Sequence, residues 1–247
     1  LTQSSTPPHV VATIEARMTS SRLPGKMAMT AVGRPMLALL VERLKRVPGL
    51  HDIVLATTTN STDDVLAGIA LHTGIQCSRG SEDDVLGRVL GAAQAHQADV
   101  IVEITGDCAA LDPHIVQECL DVYLTGQYDF VANCIELSYP VGMDARIFST
   151  ETLAEVDRLG QSPADREHVS SYIWEHPDRF RIHHVKAPPE LTWPDLWLAL
   201  DYPEDYEFIK AIFEALYPTH SNFTLRDIIA LLHARPELLA INAHLQR

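Results

Sequence analysis

Apolar runs of strand length alternate with segments of helical period almost from the start of the chain, and this rhythm restricts the folds open to it. Residues 10–17 read as a strand, and a loop carrying Gly, Ser and Pro follows over residues 18–33. Pro35 then opens a helix on which Met36, Leu40, Leu44 and Val47 recur at helical spacing. Residues 53–59, 75–79, 100–105 and 130–134 read as further strands. Between them, residues 63–72, the segment bearing Val85, Leu86, Val89, Leu90 and Ala93, and residues 115–124 read as helices. This β-α-β-α-β-α-β order predicts an α/β fold with a mainly parallel central sheet and helices on both faces. Such sheets bind ligands beyond the carboxyl ends of their strands. The loops to inspect are therefore residues 18–33, 58–63, 80–84 and 106–113.

After Tyr139 the pattern loosens. Residues 143–148, 180–185 and 196–200 read as strands, and residues 163–176, 204–216 and 225–239 as helices. No repeat or linker divides the chain, so residues 10–247 are expected to form one domain, with residues 135–190 as a smaller lobe. Residues 1–9 are expected to be a frayed tail. Acidic residues number 33 and basic residues 19. Such a surface repels a nucleic-acid backbone, whereas a small anionic ligand needs only a local group of cations or a bound metal. No apolar run approaches the roughly 20 residues of a membrane helix, and no secretory leader is evident. Cys77, Cys108, Cys119 and Cys134 show no CxxC spacing. Reduced thiols in a cytoplasmic protein are the expectation.

Four segments are candidates to carry chemistry. Ala16-Arg17-Met18-Thr19-Ser20-Ser21-Arg22-Leu23-Pro24-Gly25-Lys26 follows the first strand and gathers three cations, two serines and a glycine. A triphosphate needs positive donors and close backbone approach, and this loop offers both. The order of residues is not that of a Walker P-loop, and a solvated basic loop is the alternative. Asp107, in Thr105-Gly106-Asp107-Cys108, stands just past an apolar strand, where a carboxylate can serve as a Mg²⁺ ligand or cap a turn. Asp201 ends the apolar run 196–200 in the same manner, before Pro203 opens a helix. A fourth segment, Asp165-Arg166-Glu167-His168, places Arg166 and His168 where they could meet an anion, or form a surface ion-pair cluster.

ARMTSSRLPGK, ATTTN, RGSEDDVL, TGDC, REHV and LDYPEDYE occur in this order. The chain closely resembles the SpsF-like cytidylyltransferases, relatives of the CMP-KDO and CMP-sialic acid synthetases, over residues 10–242. The resemblance implies a GT-A-like, Rossmann-like nucleotidyltransferase fold and a Mg²⁺-dependent transfer of CMP from CTP to a small anionic acceptor. It implies that Arg17, Arg22 and Lys26 hold the phosphates, within a nucleotide site that also takes Ala16, Met18, Ser21, Gly25, Asp84 and Thr105. Thr57, Asn60, Arg79, Gly80 and Ser81 would face the base and ribose. Asp107 and Asp201 would hold Mg²⁺, with Asp107 catalytic alongside the three cations. Asp144, Arg146, Arg166, Glu167 and His168 would meet the acceptor, and the lobe would form a homodimer interface.

The chain departs from the family at Glu15, where Gln is expected, at Ala109 (Pro) and at Val141 (Asp). Ala145 and Arg146 also stand where the family reads acidic-then-apolar. The changes at Val141, Ala145 and Arg146 bear on the acceptor, and Arg146 would suit an acceptor with an extra negative group. Two rival readings are a glycosyltransferase using a nucleotide-sugar donor and a nucleotide-binding protein without turnover. The single aspartate of TGDC, where a DxD-type element is needed, argues against the first. The intact Arg22, Lys26, Asp107 and Asp201 argue against the second.

Overall fold

The structure is a computed structural model that describes residues 7–245. β1 (Val10–Glu15) leads through the cationic loop to a hairpin of β2 (Thr30–Ala31) and β3 (Arg34–Pro35), then to α1 (Met36–Leu44). Next come β4 (Asp52–Thr58), α2 (Asp64–Thr73), β5 (Gln76–Gly80), α3 (Val85–Ala95), β6 (Val100–Thr105) and α4 (Pro113–Tyr123). The later elements are β7 (Phe130–Ala132), β8 (Arg146–Ser149), α5 (Thr150–Leu159), α6 (Pro163–Glu167), α7 (Ser171–Glu175), β9 (Ile182–His184), α8 (Pro203–Leu216) and α9 (Leu225–Ala234).

Seven strands form the central sheet in the order β5-β4-β1-β6-β8-β7-β9. β5, β4, β1 and β6 are parallel, and β8 runs antiparallel to both β6 and β7. β9 pairs in parallel with β7, so segment 135–190 extends the main sheet. The period-two alternation of β1 sends Val10, Ala12 and Ile14 into the core on one face and Val11 into the core on the other. The first core lies under α1, α4, α8 and α9; the second lies under α3, α5 and α7.

Helix ends follow local chemistry. The Asp112 carboxylate accepts the His114 N–H at the start of α4, and Thr224 and Asp227 form a reciprocal cap on α9. Among the described residues no helix is long and apolar enough to cross a membrane. Residues 1–6 of the expected tail lie outside the described residues. His9 is held by the Asp99 carboxylate, which accepts its N–H at 2.7 Å.

Several expected elements are redrawn. Residues 196–200 form no strand; they make one bridge, between Val141 and Trp197. Their backbone is divided between two loops: Leu198 N–H donates to Val141 O at 2.7 Å and Leu200 N–H to Asp107 O at 3.0 Å. The helix expected over 163–176 breaks into α6 and α7 because Val169 adopts φ 50° and turns into the second core. The helix expected to reach residue 239 stops at Ala234, and Pro236, which cannot continue the ladder, opens a 3₁₀ turn. β8 starts only at Arg146, because the Asn133 side chain occupies the backbone of Met143 and Ala145. The pattern did not announce α5, which buries only Leu153 and Val156 and depends on its Ser149 cap.

Candidate active site

A cleft of about 460 Å³ opens beyond the carboxyl ends of β1 and β6. One wall is the loop after β1. Gly25, at φ 75°, turns that loop back so that its N–H donates to Met18 O at 2.9 Å. The turn carries Lys26 inward. Its ammonium donates to Asp107 Oδ2 at 2.9 Å and to Leu200 O at 2.6 Å, and lies 3.8 Å from Asp201 Oδ1. Arg22 donates to Asp201 Oδ1 at 2.5 Å and lies over the Tyr202 ring. Three of the expected residues, far apart in the chain, thus meet around one ammonium group.

Gly106 makes that meeting possible. A Cβ there would lie 2.7 Å from Glu15 O, so only glycine lets the turn before Asp107 press against β1. Burial opposes charge on Asp107, but Lys26 and hydrogen bonding outweigh it and hold the carboxyl below its ordinary range. Asp201 moves the other way: burial and the neighbouring Asp107 raise it against the pull of Lys26 and Arg22.

The loop is fastened by a residue that the motifs did not single out. Asp63, fully buried, accepts the Met18 N–H at 2.8 Å, the Thr57 hydroxyl at 3.0 Å, and the Thr58 N–H and hydroxyl at 3.2 and 2.5 Å. Thr57 is therefore turned to Asp63 beneath the surface. Glu82 forms a second clasp, accepting from the Thr19 hydroxyl and from Asn60 Nδ2, with Arg17 at 3.8 Å. Arg79 donates to the Thr58 and Asn60 carbonyls at 2.7 Å each and pairs with Asp64. The Ser81 hydroxyl accepts the Asp84 N–H, and Gly80 lies against the Arg88 side chain. Ala16, Arg17, Ser21 and Thr105 line the cleft itself.

On the opposite side Glu167 and His168 face the cleft, whereas Arg166 turns away to grip Asp84 and Asp157. Asp84 also caps α3 by accepting the Gly87 N–H at 2.9 Å. Arg146 lies 3.6 Å from Glu103 Oε1 and 3.4 Å from Asp144 Oδ2, and close to the Trp174 ring. Its charge is thus opposed within the protein, although its Nε and Nη1 have no hydrogen-bond partner among the described residues. Glu15, Glu103, Arg88 and Trp174 also line the cleft and were not among the expected site residues. The one signal for Glu103 was a charge interrupting an otherwise apolar strand.

Asp107 and Asp201 converge on a single cation, and Mg²⁺ is commonly held by one or two carboxylates completed by phosphate oxygens and water. Among the described residues no group of three acidic, His or Cys side chains forms a metal cage. The pair therefore suits a metal that arrives with, and is completed by, a polyphosphate.

The comparisons with known proteins agree with this arrangement. The family model described as Cytidylyltransferase matches residues 11–225. The spore coat polysaccharide biosynthesis protein SpsF of Bacillus subtilis is 32% identical over 231 residues, covering 91% of this chain and 94% of that protein. An uncharacterized protein of Methanocaldococcus jannaschii is 28% identical and covers 96% of each chain. The solved structure of a cytidylyltransferase from Leptospira borgpetersenii superposes with a TM-score of 0.91 at 31% identity, covering 98% of this chain and 100% of that one. A CMP:2-keto-3-deoxy-manno-octonic acid synthetase complexed with CTP shares the fold at a TM-score of 0.64 and 18% identity, covering 83% of this chain and 98% of that one. With its sheet, its cationic loop and its paired aspartates, the chain belongs to the SpsF-like branch of the cytidylyltransferase family and is a nucleotidyltransferase.

Proposed function

We propose that the protein transfers CMP from CTP to a small acidic acceptor, in a Mg²⁺-dependent reaction that releases pyrophosphate. The observation that carries this reading is Lys26 set between Asp107 and Asp201, with Arg22 beside it and Arg17 on the same wall. These groups form a mixed-charge cradle for a polyphosphate with its metal. An acceptor oxygen, the hydroxyl of a sugar acid or an oxygen of a phosphate or phosphonate, attacks the α-phosphorus of CTP in line. The new P–O bond forms as the bond to the α–β bridging oxygen breaks, the electron pair leaves with pyrophosphate, and any proton on the attacking oxygen passes to solvent.

No covalent enzyme intermediate is required, and the residues act by position and charge. Asp107 and Asp201 would hold Mg²⁺, which supplies charge neutralisation at the phosphates when bound. Lys26, Arg22 and Arg17 take up the negative charge that develops on the departing pyrophosphate. Glu167 and His168, which line the opposite wall, would meet the acceptor. The acceptor classes that fit are 2-keto sugar acids, sugar phosphates and phosphonates. A sugar acid gains support from relatives named 3-deoxy-manno-octulosonate cytidylyltransferase, one of them 28% identical over 181 residues.

The test is pyrophosphate release with each of the four NTPs against these acceptor classes, with and without Mg²⁺. CTP-selective, Mg²⁺-dependent release is the expected result. Release of free nucleoside diphosphate from a nucleotide-sugar, or CTP binding with no turnover on any class, would overturn it.

A further inference from the structure

Beyond the phosphate cradle, the cleft has a floor of a different character. Val11, Thr13 and Glu15 of β1 share one sheet face with Ile101 and Glu103 of β6 and with Phe148 and Arg146 of β8, through the pairings Thr13–Glu103, Ile101–Phe148 and Glu103–Arg146. The lower half of this face, Val11, Ile101 and Phe148, is core. Its upper half is polar and opens on the cleft, which Glu15, Glu103 and Arg146 all line.

The polar half is incompletely satisfied. Glu103 is 2% exposed, yet among the described residues its Oε2 has no hydrogen-bond partner, nor do the buried Oε1 of Glu15 and the Nε and Nη1 of Arg146. The floor is also short of positive charge. Glu15, Glu103 and Asp144 supply three carboxyl groups, and Arg146 and Arg88 two guanidinium groups. Arg88 is committed to the carbonyls of Ala56 and Ser81. The cradle next door balances without help, since Asp107 and Asp201 face Lys26 and Arg22. Burial raises Glu103 and Asp144 despite Arg146, and burial together with Glu103 raises Glu15 well above the carboxylate range. The Trp174 ring closes the side of the floor, and an aromatic face is a favourable neighbour for a cation.

We infer that this floor is the subsite for a primary ammonium group carried by the acceptor, bound by the unpartnered oxygens of Glu15 and Glu103 beside Trp174. The acceptor is then zwitterionic, with an acidic group toward the phosphate cradle and an amine toward the floor. This rests on the nucleotidyltransferase reading and narrows its acceptor.

The experiment is pyrophosphate release from CTP with Mg²⁺ on matched acceptor pairs that differ only in amine against hydroxyl. The pairs are 2-aminoethylphosphonate with 2-hydroxyethylphosphonate, and glucosamine 1-phosphate with glucose 1-phosphate. We expect kcat/KM to favour the amine in at least one pair by ~10-fold or more, the scale of a hydrogen bond to a charged group. Glu103→Gln should erase that preference while leaving the Kd for CTP unchanged. Equal or better turnover of the hydroxyl members, turnover confined to 2-keto sugar acids lacking an amine, or an amine preference untouched in Glu103→Gln overturns the inference and leaves the CTP reaction standing. Absence of pyrophosphate release with every acceptor overturns both.

Discussion

Lys26 and Asp107 are 81 positions apart in the chain, yet the ammonium donates to Asp107 Oδ2 at 2.9 Å. That contact joins the loop after β1 to the turn after β6 across two adjacent parallel strands. It also favours the ionised form of a half-buried carboxyl, because Lys26 and hydrogen bonding outweigh the effect of burial. A carboxylate kept charged in a cleft can act electrostatically at neutral pH.

Replacing Asp107 with Ala should therefore lower kcat for pyrophosphate release by about 100-fold or more, the scale for losing a key electrostatic group. Steady-state kinetics at saturating CTP and Mg²⁺ provide the check. Near-normal release by the variant would remove Asp107 from the chemistry.

Gly106→Ala should damage the same site through sterics alone. The added methyl meets Glu15 O at 2.7 Å and the Ala16 Cβ at 3.0 Å, so the turn must move away from β1. We expect a loss of about 1–3 kcal/mol in urea denaturation, the range for overpacking, together with a fall in kcat as Asp107 shifts. A variant of native stability and activity would show that the turn has slack that the structure does not display.

Asp63 should behave as the anchor of the cationic loop. Burial opposes its charge, but hydrogen bonds from Thr58, Met18 and Thr57 outweigh it and hold its pKa below the ordinary value. A depressed native pKa adds stability that is present above the unfolded value, near pH 4, and is lost as pH falls through the native value. Asp63→Asn should cost about 2 kcal/mol or more at neutral pH and weaken CTP binding. The stability difference from wild type should shrink on acidification below about pH 4. Denaturant titrations at neutral and acid pH measure both limbs, and a pH-independent difference would contradict the assignment.

Glu15 carries the opposite sign. Burial first, and then Glu103, hold its proton well above the ordinary value of 4.5. Above that pH the unfolded chain releases the proton that the native state keeps, so stability falls as pH rises until the native pKa is passed. Glu15→Gln removes this slope. The wild-type Tm should drop more than the variant's between about pH 5 and 8, and parallel curves would show that Glu15 is not protonated in the fold.

Much of the layout was legible in the sequence. The alternation of strand and helix patterns located β1, β4 and β6, because parallel strands buried on both faces leave continuous apolar runs, and it placed β5, an exposed edge strand, between two helices. The cationic loop and Asp107 were legible for a related reason: polar residues that interrupt an apolar rhythm immediately after a strand sit at its ligand end. The segment 163–176 was not legible, because one positive-φ residue, Val169, breaks a helical pattern whose period continues through it. The run 196–200 was read as a strand for the same kind of reason. Its apolar residues are buried, but its hydrogen bonds go to Val141 and Asp107, and periodicity reports burial, not bonding partners.

The sequence by itself determined the family, the parallel sheet and the presence of cations and acids suited to a nucleotide. Those properties depend on local pattern and on the order of motifs along the chain. Only the tertiary structure decided which charges are already balanced. Along the chain Arg146 reads as a partner for an anionic acceptor, but cross-strand register sets it against Glu103, and Glu15 enters the cleft from the position just before the first motif. Charge compensation is a sum over neighbours in space, fixed by strand pairing and burial, and linear order does not carry that sum.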